Sequence, residues 1–270
     1  MWGVTTDDIT INTASQINAI KALPQRMTVR TVFDPGMSGA YYRPAVENLS
    51  KVADVMSLLI DSSALKTTSY KKVKLRIADY VNQMEEYVSI WEVGNEVNGN
   101  WCGKNVISKI RTQYDYVKSN TEAKTAITFY YEPSDDSEYS MFTWIDKNIP
   151  EDDPMRADLD YVFVSYYEDQ NDNHKLTQDE IDELFSELSS RFPNSKIGFG
   201  ECGWGKTTPS SFTQRSLLYK RFYNYRCPSI PSFVGGYFFW NFRQQMGSTS
   251  SKDWKVLNDI LSDATASPLQ

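Results

Sequence analysis

Short runs rich in β-branched and aromatic residues alternate with longer amphipathic segments along this chain, and that alternation constrains the fold more than any other feature. Eight strand-like runs occur: Gly3 to Thr5, Met27 to Phe33, Val55 to Ile60, Ser89 to Val93, Ala126 to Tyr131, Tyr161 to Ser165, Lys196 to Gly200 and Val234 to Trp240. Eight helical segments follow them: Ser15 to Leu23, Pro44 to Asp54, Ser69 to Val88, Asn105 to Ser119, Ser140 to Ile149, Thr177 to Phe192, Phe212 to Tyr225 and Trp254 to Ser262. An open doubly wound sheet normally needs fewer units and a Gly-rich phosphate turn, and no such turn is present. The pattern therefore predicts an α/β protein, a single (β/α)8 TIM barrel, as one domain over residues 1–270. Residues 262–270 are small and polar and read as a tail or the start of a linker.

Local chemistry marks several boundaries. Thr177 with Glu180 has the spacing of a capping box, Thr13 with Gln16 has the same spacing, and Pro44 suits a first helical turn. In the sixth helix Ile181, Leu184, Phe185 and Leu188 form one apolar stripe, while Asp182, Glu183 and Glu187 fall elsewhere. That is the pattern of an outer helix packed on a barrel.

Charge and composition remove several functions. Twenty-eight Lys and Arg face thirty-five Asp and Glu, a formal charge of −7. Such a balance repels phosphate backbones and anionic lipid, so neither nucleic acid nor a membrane is an expected partner. The longest uncharged run, Cys227 to Phe242, contains Pro228, Pro231 and two glycines, so it is no membrane span. Three cysteines make no disulfide framework and fit no zinc spacing, and His174 is the only histidine. No metal or cofactor is implied, and Ser-His-Asp or Cys-His machinery is nearly excluded. Catalysis on this chain must rest on carboxylates.

In such barrels the active site lies where the strands end in βα loops. The fourth strand runs into Trp-Glu-Val-Gly-Asn-Glu, placing Glu96 just past the strand end after Asn95. The seventh runs into Gly-Phe-Gly-Glu-Cys-Gly-Trp, placing Glu201 at the equivalent height. Two carboxyls projecting into one mouth can flank a bound bond. Glycoside hydrolysis needs that pair, one as proton donor to the leaving oxygen and the other anionic beneath the developing oxocarbenium ion.

Over its whole length the sequence resembles clan A of the retaining glycoside hydrolases, barrels with an Asn-Glu pair after strand four and a Glu after strand seven. The resemblance implies that Glu96 is the acid/base, that Asn95 contacts the sugar 2-hydroxyl and that Glu201 is the nucleophile. Arg30 resembles the strand-two arginine that steadies the nucleophile as an anion. Tyr166 resembles the strand-six tyrosine that bonds it, with Tyr167 as an adjacent competitor. Trp240 resembles the strand-eight aromatic under the sugar ring, and Trp91 is assigned to the barrel interior. Tyr131, Tyr167, Trp101 and Trp204 are candidate sugar platforms, weighed against service as lids on the core. Asp7, Asp8, Asp34 and Asp61 follow strands one to three and read mainly as helix caps. Cys102 and Cys202 lie near the mouth and are the one candidate disulfide.

The departures are Cys202 beside the second glutamate, no proline after Glu96, and no subsite histidines, so no single family is assigned. The βα units are compact with few long insertions, which predicts an open groove that accepts an internal stretch of a β-linked polysaccharide, a glucan, mannan or similar. A monomer that is secreted, periplasmic or on the cell surface is expected. Met1 to Thr10 carry no signal-peptide pattern, which fits either a cytoplasmic protein or one whose signal has been removed. The alternative is a barrel that binds glycan without cleaving it.

Overall fold

The structure, a computed structural model, describes residues 1–266. Eight parallel strands, β1 (Trp2–Thr6), β2 (Thr28–Val32), β3 (Asp54–Leu58), β4 (Ile90–Gly94), β5 (Lys124–Tyr130), β6 (Tyr161–Tyr166), β7 (Lys196–Gly203) and β8 (Gly236–Trp240), close into a barrel with β8 paired back onto β1. The expected (β/α)8 architecture is therefore present. Around it run α1 (Thr13–Lys21), α2 (Gly39–Ser50), α3 (Ser62–Leu65), α4 (Tyr70–Met84), α5 (Val106–Asn120), α6 (Met141–Asn148), α7 (Pro154–Asp158), α8 (Gln178–Arg191), α9 (Phe212–Phe222), α10 (Phe242–Met246) and α11 (Lys252–Ala266). The short helices α3, α7 and α10 have no counterpart in the sequence reading, because four or five residues show no helical period. Helix α11 carries residues 262–266 of the expected tail, and the remainder of that tail lies outside the described residues.

Strand alternation divides the barrel into two faces. Outward residues such as Val29, Val55, Ile127 and Val162 join the main core beneath the helices. Trp91 is among them, so it is not a barrel-interior residue: its neighbour Glu92 takes the inward face. Inward residues Met56, Ile90, Ala126, Phe163 and Phe238 form a separate apolar plug. Further along the strands the interior turns polar, with Arg30, Glu92, Thr128 and Ser165 fully buried. The space there is tight. A Cβ on Gly200 would lie 2.5 Å from Phe163 Cβ and 2.7 Å from Thr128 Oγ1.

The Thr177–Glu180 capping box opens α8 as expected. Thr13 and Gln16 make none: the Thr13 hydroxyl donates to the carbonyls of Ile9 and Thr10, and the Gln16 amide is drawn into the loop before α1, bonding Asp8 and Ile11 carbonyls. Helix α2 starts earlier than Pro44, because the Ser38 hydroxyl accepts from Tyr41 N–H and fixes the first turn there. Pro44 falls inside the helix instead. All three cysteines are buried free thiols, and Cys102 and Cys202 bond different carbonyls, those of Glu96 and Tyr237. No disulfide joins them.

Candidate active site

Glu96 follows β4 in the left-handed region, φ 45°, a conformation few non-glycine residues adopt. The turn is tied down by its own carbonyl, which accepts from Gly99 N–H at 2.8 Å and from the Cys102 thiol at 3.4 Å. Its side chain meets hydroxyls only. Ser165 Oγ on β6 donates to Oε1 at 2.6 Å, and Ser62 Oγ, the first residue of α3, donates to Oε2 at 3.2 Å. Burial, with the Glu201 charge nearby, pushes the Glu96 carboxyl up to about 8.

Glu201 projects from β7, where a shift in register between β6 and β7 sets it beside Ser165. Its partners differ in kind from those of Glu96. Arg30 Nη1 donates to Oε2 at 2.6 Å, and the Tyr167 hydroxyl donates to Oε1. Burial raises this carboxyl above its ordinary range, while the Arg30 charge and the Tyr167 hydrogen bond pull it back. A guanidinium bonds Glu201 while hydroxyls bond Glu96, so of the two carboxyls Glu201 is the better held as an anion.

Arg30 itself is fully buried on β2. Beyond Glu201 it donates through Nε to Glu92 Oε2 at 2.6 Å, and through Nη2 to Glu92 Oε1 at 3.2 Å and Asn95 Oδ1 at 2.8 Å. The last bond fixes the Asn95 amide and leaves its Nδ2 as the free donor.

The two glutamates line a pocket of about 480 Å³ with Asn95, Asp61, Trp101, Tyr130, Gln170 and Trp240. Trp101 stands edge-on to Tyr130, ring centroids 5.3 Å apart, and the Tyr130 hydroxyl bonds Gln170 at 3.2 Å. A second, larger cleft of about 720 Å³ shares the wall made by Asp61 and Ser63 and runs over the loops after β2 and β3, past Met37, Ile60 and Leu75. The two cavities are neighbours across Asp61 and Ser63.

No protein-family model matches the sequence, and no curated protein matches it. Solved structures match the fold. The barrel is one that known glycoside hydrolases share. It is similar to an endo-1,4-β-D-mannanase from Thermotoga petrophila (TM-score 0.65, 10% identity, 97% of this chain and 99% of that one). It is similar to a family 1 β-glucosidase from Thermotoga maritima (TM-score 0.64, 12% identity, 90% and 87% covered). A third match is a family 128 endo-β-1,3-glucanase from Amycolatopsis mediterranei, solved with laminaripentaose (TM-score 0.58, 11% identity, 95% and 97% covered). At these identities the likeness establishes the common (β/α)8 fold.

Of the residues singled out in the sequence, Arg30, Asn95, Glu96, Glu201 and Trp240 come together at this pocket. Tyr166 does not. Its hydroxyl donates to the His174 carbonyl at 2.9 Å, because Ser165 takes the inward position and the next residue must face the helices. Tyr167, one residue on, faces inward again and bonds Glu201. Tyr131 and Trp204 also lie elsewhere. Tyr131 lines an acidic recess with Glu180, Glu183 and Glu187, and Trp204 packs edge-on against Tyr219 and Phe239, with centroids 5.9 and 5.8 Å away. Of the loop aspartates only Asp61 caps a helix, α3; Asp7 pairs with Arg243, Asp8 holds Thr10, and Asp34 meets Tyr42. Glu92, Ser62, Ser165, Tyr130 and Gln170 were not singled out in the sequence. Inward alternation from Ile90, Ala126 and Phe163 points to Glu92, Tyr130 and Ser165, whereas nothing local marks Ser62 or Gln170.

Proposed function

We propose that this chain is a retaining β-glycoside hydrolase that cuts within a β-linked polysaccharide, a glucan, mannan or similar polymer. The observation that carries the reading is the unlike setting of two carboxyls on one pocket: Glu96 among hydroxyls with its proton retained, Glu201 against Arg30. In the first step Glu96 gives its proton to the glycosidic oxygen as that bond to the anomeric carbon breaks, and a Glu201 oxygen bonds the same carbon. In the second, Glu96 takes a proton from water, whose oxygen displaces Glu201. On this reading Asn95 Nδ2 donates to a sugar hydroxyl and Trp240 stacks on the ring, and both line the pocket. The neighbouring cavity across Asp61 and Ser63 would take up further sugar units, which supports action within a chain. Such a substrate suits a monomer working outside the cell or at its surface.

The reading is tested by reducing-end release from β-glucans, mannans, xylans and galactans, beside Glu96→Ala and Glu201→Ala. Release from one polymer that both substitutions abolish supports it, and release untouched by either overturns the site. The pH profile carries a further expectation. Because Glu96 must begin protonated, kcat/KM should fall as pH rises through about 8, and Glu96→Gln should remove that limb. Tyr167→Phe should lower kcat about 10- to 100-fold by deleting a hydrogen bond to an ion, whereas Tyr166→Phe should leave kcat within about twofold. Equal losses in the two tyrosine variants would contradict the assignment.

A further inference from the structure

Arg30 is shared by two carboxylates, and only Glu201 takes part in the reaction proposed above. The other, Glu92, lies on β4 and is fully buried, like Arg30. It occupies the side edge of the guanidinium, with Oε2 accepting from Nε at 2.6 Å and Oε1 from Nη2 at 3.2 Å. Thr128 on β5 pins that carboxylate by donating to Oε1 at 2.6 Å. What remains for Glu201 is the single donor Nη1, at 2.6 Å. Guanidinium N–H groups are fixed in one plane, so capture of the Nε–Nη2 edge dictates where Nη1 points. With the other Nη2 N–H taken by Asn95 Oδ1, neither edge is left for the two-bond clamp that arginine and carboxylate otherwise form.

We infer that Glu92 is a positioning residue: by holding one edge of Arg30 it restricts the guanidinium to one bond with Glu201, at Oε2, and so orients that carboxylate with Oε1 left to the Tyr167 hydroxyl. The inference rests on Glu201 being the nucleophile. The same hold aligns Asn95, because the Nη2 that meets Glu92 also bonds Asn95 Oδ1 at 2.8 Å. There is an electrostatic side as well. The Glu92 charge offsets that of Arg30 and so works to raise Glu201. Without it Glu201 would be less basic and therefore a weaker attacker.

The test is a 13C-NMR titration of glutamate-labelled protein, wild type beside Glu92→Gln and Thr128→Val, with Glu201→Gln identifying the resonance. Glu92→Gln keeps the shape and removes the charge, so the Glu201 midpoint should drop by about half a pH unit or more. Thr128→Val keeps every charge and removes the donor that spreads the one on Glu92, so the midpoint should move the other way, by less. On the substrate found above, Glu92→Gln should lower kcat roughly 10-fold with KM within about twofold, and move the acid limb of kcat/KM down with the midpoint. A purely structural glutamate would lower the urea midpoint and leave titration and acid limb where they are. That result overturns the inference. Should Glu92→Gln not fold, an unmoved midpoint in Thr128→Val overturns it equally, and an upward shift supports it. A silent substrate panel with shifted titrations faults the reaction assigned to Glu201, whereas full activity with unshifted titrations faults the Glu92 role alone.

Discussion

Glu201→Ala is expected to lower kcat by about 10⁴-fold or more, since no other carboxylate of the pocket stands where Arg30 and Tyr167 hold this one. The substitution leaves a space lined by a guanidinium N–H and a phenol hydroxyl, a setting suited to a small anion. Added azide should therefore restore turnover on an activated aryl β-glycoside. The azide nitrogen bonds the anomeric carbon as the aryloxide departs, and the product is the glycosyl azide of opposite anomeric configuration. Product configuration, read by proton NMR, checks the assignment directly. Glu96→Ala should respond differently, because its defect is the missing proton. It should retain activity on aryl glycosides whose leaving group departs unprotonated and lose it on polysaccharide. Rescue of Glu96→Ala with inversion, and none for Glu201→Ala, would exchange the two roles.

The second large effect concerns stability. Arg30→Met keeps length and apolar volume but strands Glu92 and Glu201, one fully buried and one nearly so. Breaking such a network by removing its cation costs about 3–5 kcal/mol, to be read from urea unfolding at pH 7. The sign of the pH dependence is a further check. In the variant Glu201, which burial raises, loses the Arg30 charge that pulls it back, so it favours folding while protonated and disfavours it once ionised. The deficit relative to wild type should therefore shrink as pH falls toward 5 and widen above 7. Adding Glu92→Gln to Arg30→Met should recover part of the loss, because one stranded charge is gone. A deficit independent of pH would mean that lost packing and not lost charge pairing is responsible.

The barrel was legible because its evidence is repeated. Each βα unit restates the same contrast between a short β-branched run and a longer amphipathic one, so an error of two residues at any boundary leaves the count of units intact. The acidic pair was legible for a related reason, since strand ends locate a site without any knowledge of side-chain direction. Direction is where the reading slipped. Tyr166 and Tyr167 are alike in composition and differ only in parity, and the inward Ser165 settles that parity in favour of Tyr167. Glu92 lies within its strand and not at the strand end, where catalytic residues concentrate, although it sits on the same inward face as Ile90. Ser62 and Gln170 reach the pocket from α3 and from the short 3-10 turn Glu168–Gln170, elements too short to leave a period in the sequence. The small helix α3 also explains why Asp61 could be taken as a cap: it is one, and it lines the pocket as well.

That helix has a consequence for how this protein can change. Asp61 and Ser63 stand between the two neighbouring cavities, while Ser62, between them in sequence, bonds the Glu96 carboxyl. Selection for a different polymer would naturally act on the partition. Any shift of its backbone would carry the intervening hydroxyl with it and retune the acid. On the function proposed above, substrate preference and working pH are then linked through α3, and variants that acquire a new preference there should show displaced pH optima even where neither glutamate has been touched.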